Sequence, residues 1–168
     1  MKKPVKLTKE IVVLLTPRIA DEWTAFAFYR DASNYLQGIG FMKAAKYFAA
    51  ESTDELTHAK GLESYLVDWN VHPELPALEA QDNSFDGIMD VIEKAYEIEY
   101  RLYESYEKTT MDVFNKGDVC TFFFLQTYND IQRKSVAEYS DMMNLCEGVD
   151  TESKLEMLLL EDKLFGQG

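Results

Sequence analysis

The stretch Glu51-Ser-Thr-Asp-Glu-Leu-Thr-His-Ala-Lys-Gly-Leu62 contains a Glu-x-x-His pair, Glu55 and His58, and His58 is one of only two histidines in the chain. Residues three apart on a helix share a face, so both side chains point the same way. A carboxylate and an imidazole from one helical turn make half of a site for a first-row transition metal. The same pair is also an ordinary feature of a solvated helix surface. What the other helices place at the same height decides between the two.

The chain has 168 residues, enough for one domain with a real core, and its 46% hydrophobic content is ordinary for a globular protein. A net charge of -13 argues against nucleic acid or an anionic membrane surface as partner and suits a protein that handles cations. The apolar run Ile11–Leu15 falls far short of a membrane span or a signal-peptide core. Cys120 and Cys146 fall on one expected helix, too far apart along it to bond to each other. A reduced, cytoplasmic protein is the expectation.

Thr8, with Lys9 and Glu10 behind it, starts a helical pattern that runs to about Leu36. Its inner stripe reads Leu15, Ile19, Glu22, Phe26 and Tyr29, in alternating steps of four and three. Pro17 either kinks this helix or takes the first position of a second start capped by Thr16. After a turn at Gly38 and Gly40, a second helix runs from about Phe41 to Trp69, with Ala44, Phe48, Glu55, His58 and Leu62 on or beside its inner stripe. Residues 70–83 hold His72, Pro73 and Pro76 without a period and read as one long surface connection. A third helix spans about Ser84 to Asn115, with the stripe Ile88, Ile92, Ala95, Glu99, Leu102 and Tyr106. Lys116-Gly117-Asp118 is a short turn with Asp118 as cap, and the fourth helix runs to about Cys146. Its stripe is Phe122, Leu125, Asn129, Gln132, Val136, Tyr139 and Met143. A short fifth helix, about Thr151 to Phe165, is apolar nearly all round at Met157-Leu158-Leu159-Leu160.

Two short turns make two antiparallel helix pairs, and the long connection between them is a crossover. The expectation is a single all-α domain over 1–168: a four-helix bundle over about 8–146 and a fifth helix over about 151–165. The fifth helix is too apolar to lie alone in water, so neighbouring subunits are expected to cover Leu155, Leu158, Leu159 and Phe165.

Glu22, Glu55, Glu99 and Gln132 interrupt the four stripes near their midpoints, and antiparallel helices of equal length bring midpoints together. His58 sits one turn from Glu55 and Tyr29 two turns from Glu22. Burying three carboxylates without compensation costs several kcal/mol per ion. Two divalent cations about 3.5–4 Å apart, with Glu55 bridging, would reverse that cost. The bland alternative is a polar layer that fixes helix register, with Glu22 and Glu99 protonated or turned outward. For Tyr29 alone, a core tyrosine with a bonded hydroxyl is the stronger reading.

Taken together, Glu22, Tyr29, Glu55, His58, Glu99 and Gln132 resemble the ferroxidase constellation of the bacterial non-haem ferritins. Phe-Phe-Leu-Gln at 123–126 and the Glu51–His58 segment add to the resemblance, which covers the whole chain. It implies a ferritin-like bundle that assembles into a twenty-four-subunit homo-oligomeric cage. It also implies two iron ions per subunit, Fe(II) oxidation by O2 and storage of the ferric product. Glu22, Glu55 and His58 would hold one iron and Glu55 with Glu99 the other. Gln132 would orient a water or oxygen species, and Tyr29 would sit beside the pair.

Departures from related patterns narrow this further. Leu56 stands where bacterioferritins carry a haem methionine, so no haem is expected. There is no second Glu-x-x-His, the fourth helix offering only Asp130, Ile131 and Gln132. The rubredoxin-like Cys-x-x-Cys pairs of rubrerythrins are missing. Positions that hold a third iron in some bacterial ferritins read Asp54, Ile131, Lys134 and Ser135, so that site is expected to be absent or crippled. Phe122 and Leu125 replace the two acids that line a threefold pore in animal ferritins. Two other classes stay open. One is a structural or interaction bundle with a degenerate site; the other is a non-storage di-iron oxidoreductase acting on an organic substrate. The lone Glu-x-x-His and the apolar fifth helix count against the latter.

Overall fold

Helix α1 (Lys9–Gly38) begins at the expected cap, where Thr8 Oγ1 accepts from the Ile11 amide at 3.3 Å. Pro17 lies inside α1 without ending it. Thr16 is not a second cap: its hydroxyl donates to the Val12 carbonyl at 2.8 Å, one turn back in the same helix. The computed structural model describes residues 4–78 and 84–166, and within them α2 spans Met42–Asp68, α3 Gly87–Asn115, α4 Val119–Cys146 and α5 Lys154–Phe165. Among the described residues there is no strand, and no helix is long and apolar enough to cross a membrane. Asp118 caps α4 by accepting from the Thr121 amide at 2.9 Å, just after Gly117 takes the left-handed conformation that closes the turn. The crossover carries no helix or strand where it is described; residues 79–83 of it lie outside the described residues, and α3 starts at Gly87 rather than near Ser84.

Helices α1 and α2 pack as one antiparallel hairpin, α3 and α4 as another, and α1 lies against α3. Helices α2 and α4 meet instead through long side chains. Tyr65 stacks on Phe124 at 3.9 Å between centroids, the Tyr65 and Thr121 hydroxyls are 2.9 Å apart, and Tyr128 reaches the His58 carbonyl at 2.9 Å. The core is divided. One apolar cluster contains Ile11, Leu15, Ile19, Leu62, Leu66, Val113 and Leu125; the other contains Ala32, Leu36, Ala44, Phe48, Ile88, Ile92 and Tyr139. Between them lies a layer of buried Glu22, Glu55, Glu99 and Gln132.

The expected stripe of α3 is buried throughout; on α1 Leu15, Ile19, Glu22 and Tyr29 are buried as expected, and on α4 Leu125, Gln132 and Tyr139 are, with departures at the remaining positions. On α1, Ala25 and Phe28 are buried while Phe26 is half-buried. On α4, Thr121, Tyr128 and Met142 face inward while Phe122, Asn129, Val136 and Met143 lie at the margin. Periodicity alone sets a stripe to within one residue, and packing against two neighbours at once selects the face.

Helix α5 departs more from expectation. Met157, Leu160 and Phe165 are buried within this chain, and the Phe165 ring lies 5.0 Å from Tyr47 and 6.0 Å from Phe48. Of its large apolar side chains, only Leu155, Leu158 and Leu159 remain exposed. Its Glu161, itself buried, accepts from the Lys43 and Ala44 amides at 2.7 and 3.0 Å. Those are orphan amides of the first turn of α2, whose own cap residue Phe41 offers no side-chain acceptor. Glu161 thus does for α2 what Thr8 does for α1. Replacing it, Glu161→Ala, is expected to destabilise the chain by about 1–2 kcal/mol in a denaturant titration. The reference is Lys154→Ala, exposed on the same helix, which should cost clearly less.

Candidate metal centre

Four helices deliver one residue or pair each to the dividing layer: Glu22 from α1, Glu55 and His58 from α2, Glu99 from α3 and Gln132 from α4. Glu22, Glu55 and His58 each offer a ligand atom, and these atoms all lie within 4.8 Å of one another. His58 Nδ1 is 3.4 Å from Glu55 Oε2 and 3.6 Å from Glu22 Oε2. The imidazole keeps a little exposure, 18% of its side chain, while the two carboxylates keep almost none. Glu99 is in the same layer but outside that cluster. Gln132 is wholly buried and makes no hydrogen bond to any of the four.

Tyrosines hold two of the carboxylates, and they do so by exchange. Tyr29 on α1 donates to Glu99 Oε1 on α3, and Tyr106 on α3 donates to Glu22 Oε1 on α1. Each tyrosine follows the glutamate of its own helix by seven residues. Two turns along, a side chain returns to the same face, so a repeated Glu-x6-Tyr places each phenol toward the glutamate of the facing helix. The sequence places Tyr29 beside the site but Tyr106 only on an apolar stripe, and the repeat is the signal that marks Tyr106 as its counterpart.

The electrostatics follow from burial. Glu55 is pushed well above the usual carboxylate range by desolvation, which the His58 hydrogen bond opposes and the proximity of Glu22 and Glu99 reinforces. Burial also lifts Glu99, to about 7, against the hydrogen bond from Tyr29 and with the charge of Glu22. Burial lowers the His58 imidazole, but the hydrogen bonds and charges of Glu22 and Glu55 overrule it and raise it to about 10. One cation facing two carboxylates cannot satisfy the whole layer. Glu22 Oε2, Glu99 Oε2 and both amide atoms of Gln132 are buried without a hydrogen-bond partner. Such atoms are rare in folded proteins. Carboxylate oxygens, an imidazole nitrogen and an amide oxygen are the donor set that a first-row divalent ion accepts, so the residues present fit a metal.

Other acidic groups lie nearby. Glu51 is raised to about 8 by burial and then by Glu138, Glu99 and Asp54, while Asp54 itself is exposed. Lys134 turns to Asp130 at 2.7 Å on the outside of α4. His72, the second histidine, is on the exposed crossover, away from the layer.

Comparison with known proteins agrees with this geometry. A model of the ferritin-like domain matches residues 13–149. Among curated relatives, the bacterial non-heme ferritin of Campylobacter jejuni is 30% identical over 138 residues, covering 82% of this chain and 83% of that protein. Ferritin BfrB of Mycolicibacterium smegmatis is 25% identical, covering 80% of this chain and 74% of its own. An open-pore ferritin from the archaeon Archaeoglobus fulgidus superposes with a TM-score of 0.90 at 21% identity, over 97% of this chain and 100% of that one. A bundle of four long helices, divided at mid-height by carboxylates and matched over residues 13–149, identifies the chain as a member of the ferritin family, through its ferritin-like domain.

Proposed function

We propose that the chain is the subunit of an iron-storage ferritin that oxidises Fe(II) with O2 at the mid-bundle site. The convergence of Glu22, Glu55 and His58 within 4.8 Å in the core, beside orphaned carboxylate oxygens, carries this reading. Iron is here substrate and cargo. Glu22, Glu55 and His58 bind one Fe(II), Glu55 and Glu99 the second, and O2 takes one electron from each. Gln132, with a free amide in the dry layer, orients the oxygen species, and Tyr29 keeps Glu99 in place. Ligation requires each group to shed its proton, so the raised Glu55, Glu99 and His58 exchange protons for metal charge. The ferric product, held less well, moves to a mineral store in the cavity of a closed shell of many copies. Leu155, Leu158 and Leu159 on α5, and Met111, Phe114, Val119 and Phe123 at the α3–α4 turn, are the exposed apolar side chains that such a shell would cover.

Anaerobic Fe(II) titration of the apoprotein followed by exposure to air tests this. Two Fe(II) per chain are expected, with rapid oxidation once air is admitted. No bound iron, or three equivalent irons, overturns the site. Light scattering at micromolar concentration is expected to show a large closed particle, and a monomer or dimer removes the cage.

A further inference from the structure

Helix α2 carries a glycine, Gly61, three residues after His58 and far from either helix end. Glycine is disfavoured in such a place because it lacks a side chain to pack and loses the most backbone freedom. Its surroundings supply the reason. A Cβ on Gly61 would stand 2.5 Å from the Tyr128 hydroxyl, while the ring carbon bearing that hydroxyl would be 3.7 Å away. The hydroxyl occupies the space that a side chain would take, and from there it donates to the His58 carbonyl at 2.9 Å.

The Tyr128 ring is fixed on its other sides. It stacks on Tyr106 at 5.2 Å and 15° between planes, and meets the His58 imidazole edge-on at 6.1 Å. Tyr106 is the residue that donates to Glu22. One pair of stacked phenols, from α3 and α4, therefore grips candidate ligands on both α1 and α2. Partners behind metal ligands orient them, and losing one typically costs 10–100-fold in affinity or activity.

We infer that Tyr128, admitted by the notch at Gly61, is a positioning residue that sets the His58 turn of α2 for metal binding. The role is distinct from that of any ligand. It rests on the metal-centre reading above and adds the pair on which the geometry of the histidine depends. Tyr128→Phe removes only the hydroxyl and keeps the stack. Gly61→Ala forces the hydroxyl out of its place. In the Tyr128→Phe background, the methyl that Gly61→Ala introduces meets only a ring carbon at ordinary contact distance.

Co(II), a redox-stable probe, is titrated into the assembled apoprotein and followed by its visible absorption. Tyr128→Phe and Gly61→Ala are each expected to weaken the tighter Co(II) site by about tenfold or more. Gly61→Ala made in the Tyr128→Phe protein should add no more than about twofold, because the two changes break one contact. In Fe(II) oxidation the variants should raise KM with kcat little changed, a split that a general loss of fold would not produce. Wild-type binding with unchanged single variants, or penalties that simply add, overturns this inference alone. A wild-type protein that binds no Co(II) overturns the metal-centre reading and this inference with it. If Gly61→Ala does not assemble, Tyr128→Phe against wild type decides the matter by the same tenfold criterion.

Discussion

Glu55→Ala is expected to lower the rate of Fe(II) oxidation by at least about a hundredfold and to leave the apoprotein as stable as the wild type or more so. Glu55 is the carboxylate proposed to serve both irons, so its loss exceeds the 10–100-fold typical of residues behind a ligand. In the apoprotein the same carboxyl is buried against Glu22 and Glu99, and its charged form is strongly disfavoured. Removing a group that the fold strains to bury costs little. His58→Ala separates the two properties. It too should abolish rapid oxidation, but it withdraws the cation that lies 3.4 and 3.6 Å from Glu55 and Glu22. The apo form should then be destabilised at neutral pH, because Glu22 and Glu55 both lose the buried imidazole that faces them. Stopped-flow oxidation and thermal melting on the same two variants provide the check. Oxidation within a few-fold of wild type in Glu55→Ala would falsify the assignment of the site.

The apoprotein is expected to lose stability as pH rises from 5 to 8, and bound metal is expected to reverse the trend. Glu99 is lifted to about 7 in the fold, and Glu51 to about 8. In the unfolded chain both return to about 4.3. Between those values the folded chain holds more protons than the unfolded one. The contribution is therefore complete below the unfolded value and is lost as pH climbs through the folded value. His58, ordinarily near 6.5 and raised to about 10, has the same sign over a higher window. Together these groups are worth on the order of a few kcal/mol, or roughly 10 °C in Tm for a chain of this size. Zn(II), which is redox-inert, must displace the same protons, so it binds more tightly as pH rises. At a thousand times its Kd one bound ion adds about 4 kcal/mol. The apo and Zn(II) melting curves should therefore diverge with pH at fixed protein concentration. Glu99→Gln should flatten the apo slope, and an unchanged slope in that variant would show that the layer does not govern it.

The four long helices, their antiparallel pairing and the mid-height polar layer were all legible in the sequence. Period, caps and loop lengths are local properties, and Thr8, Asp118 and the turn at Gly117 act through neighbours in the chain. That Glu22, Glu55 and His58 approach one another also followed from register, because equal antiparallel helices align their midpoints. Glu99 and Gln132 show the limit of that reasoning. Register places them in the layer, yet the first is drawn to Tyr29 and the second is left without a partner. Which oxygen meets which phenol depends on rotamers and on packing against two neighbours at once, and on α4 Tyr128 is buried where the periodic stripe had Asn129. Partners distant in the chain were invisible for the same reason. Glu161 caps a helix 117 residues before it, and Gly61 makes room for a hydroxyl arriving from another helix. A sequence period specifies the face of a helix, whereas the hydroxyl that fills the place of a side chain at Gly61 is there only once the helices have packed.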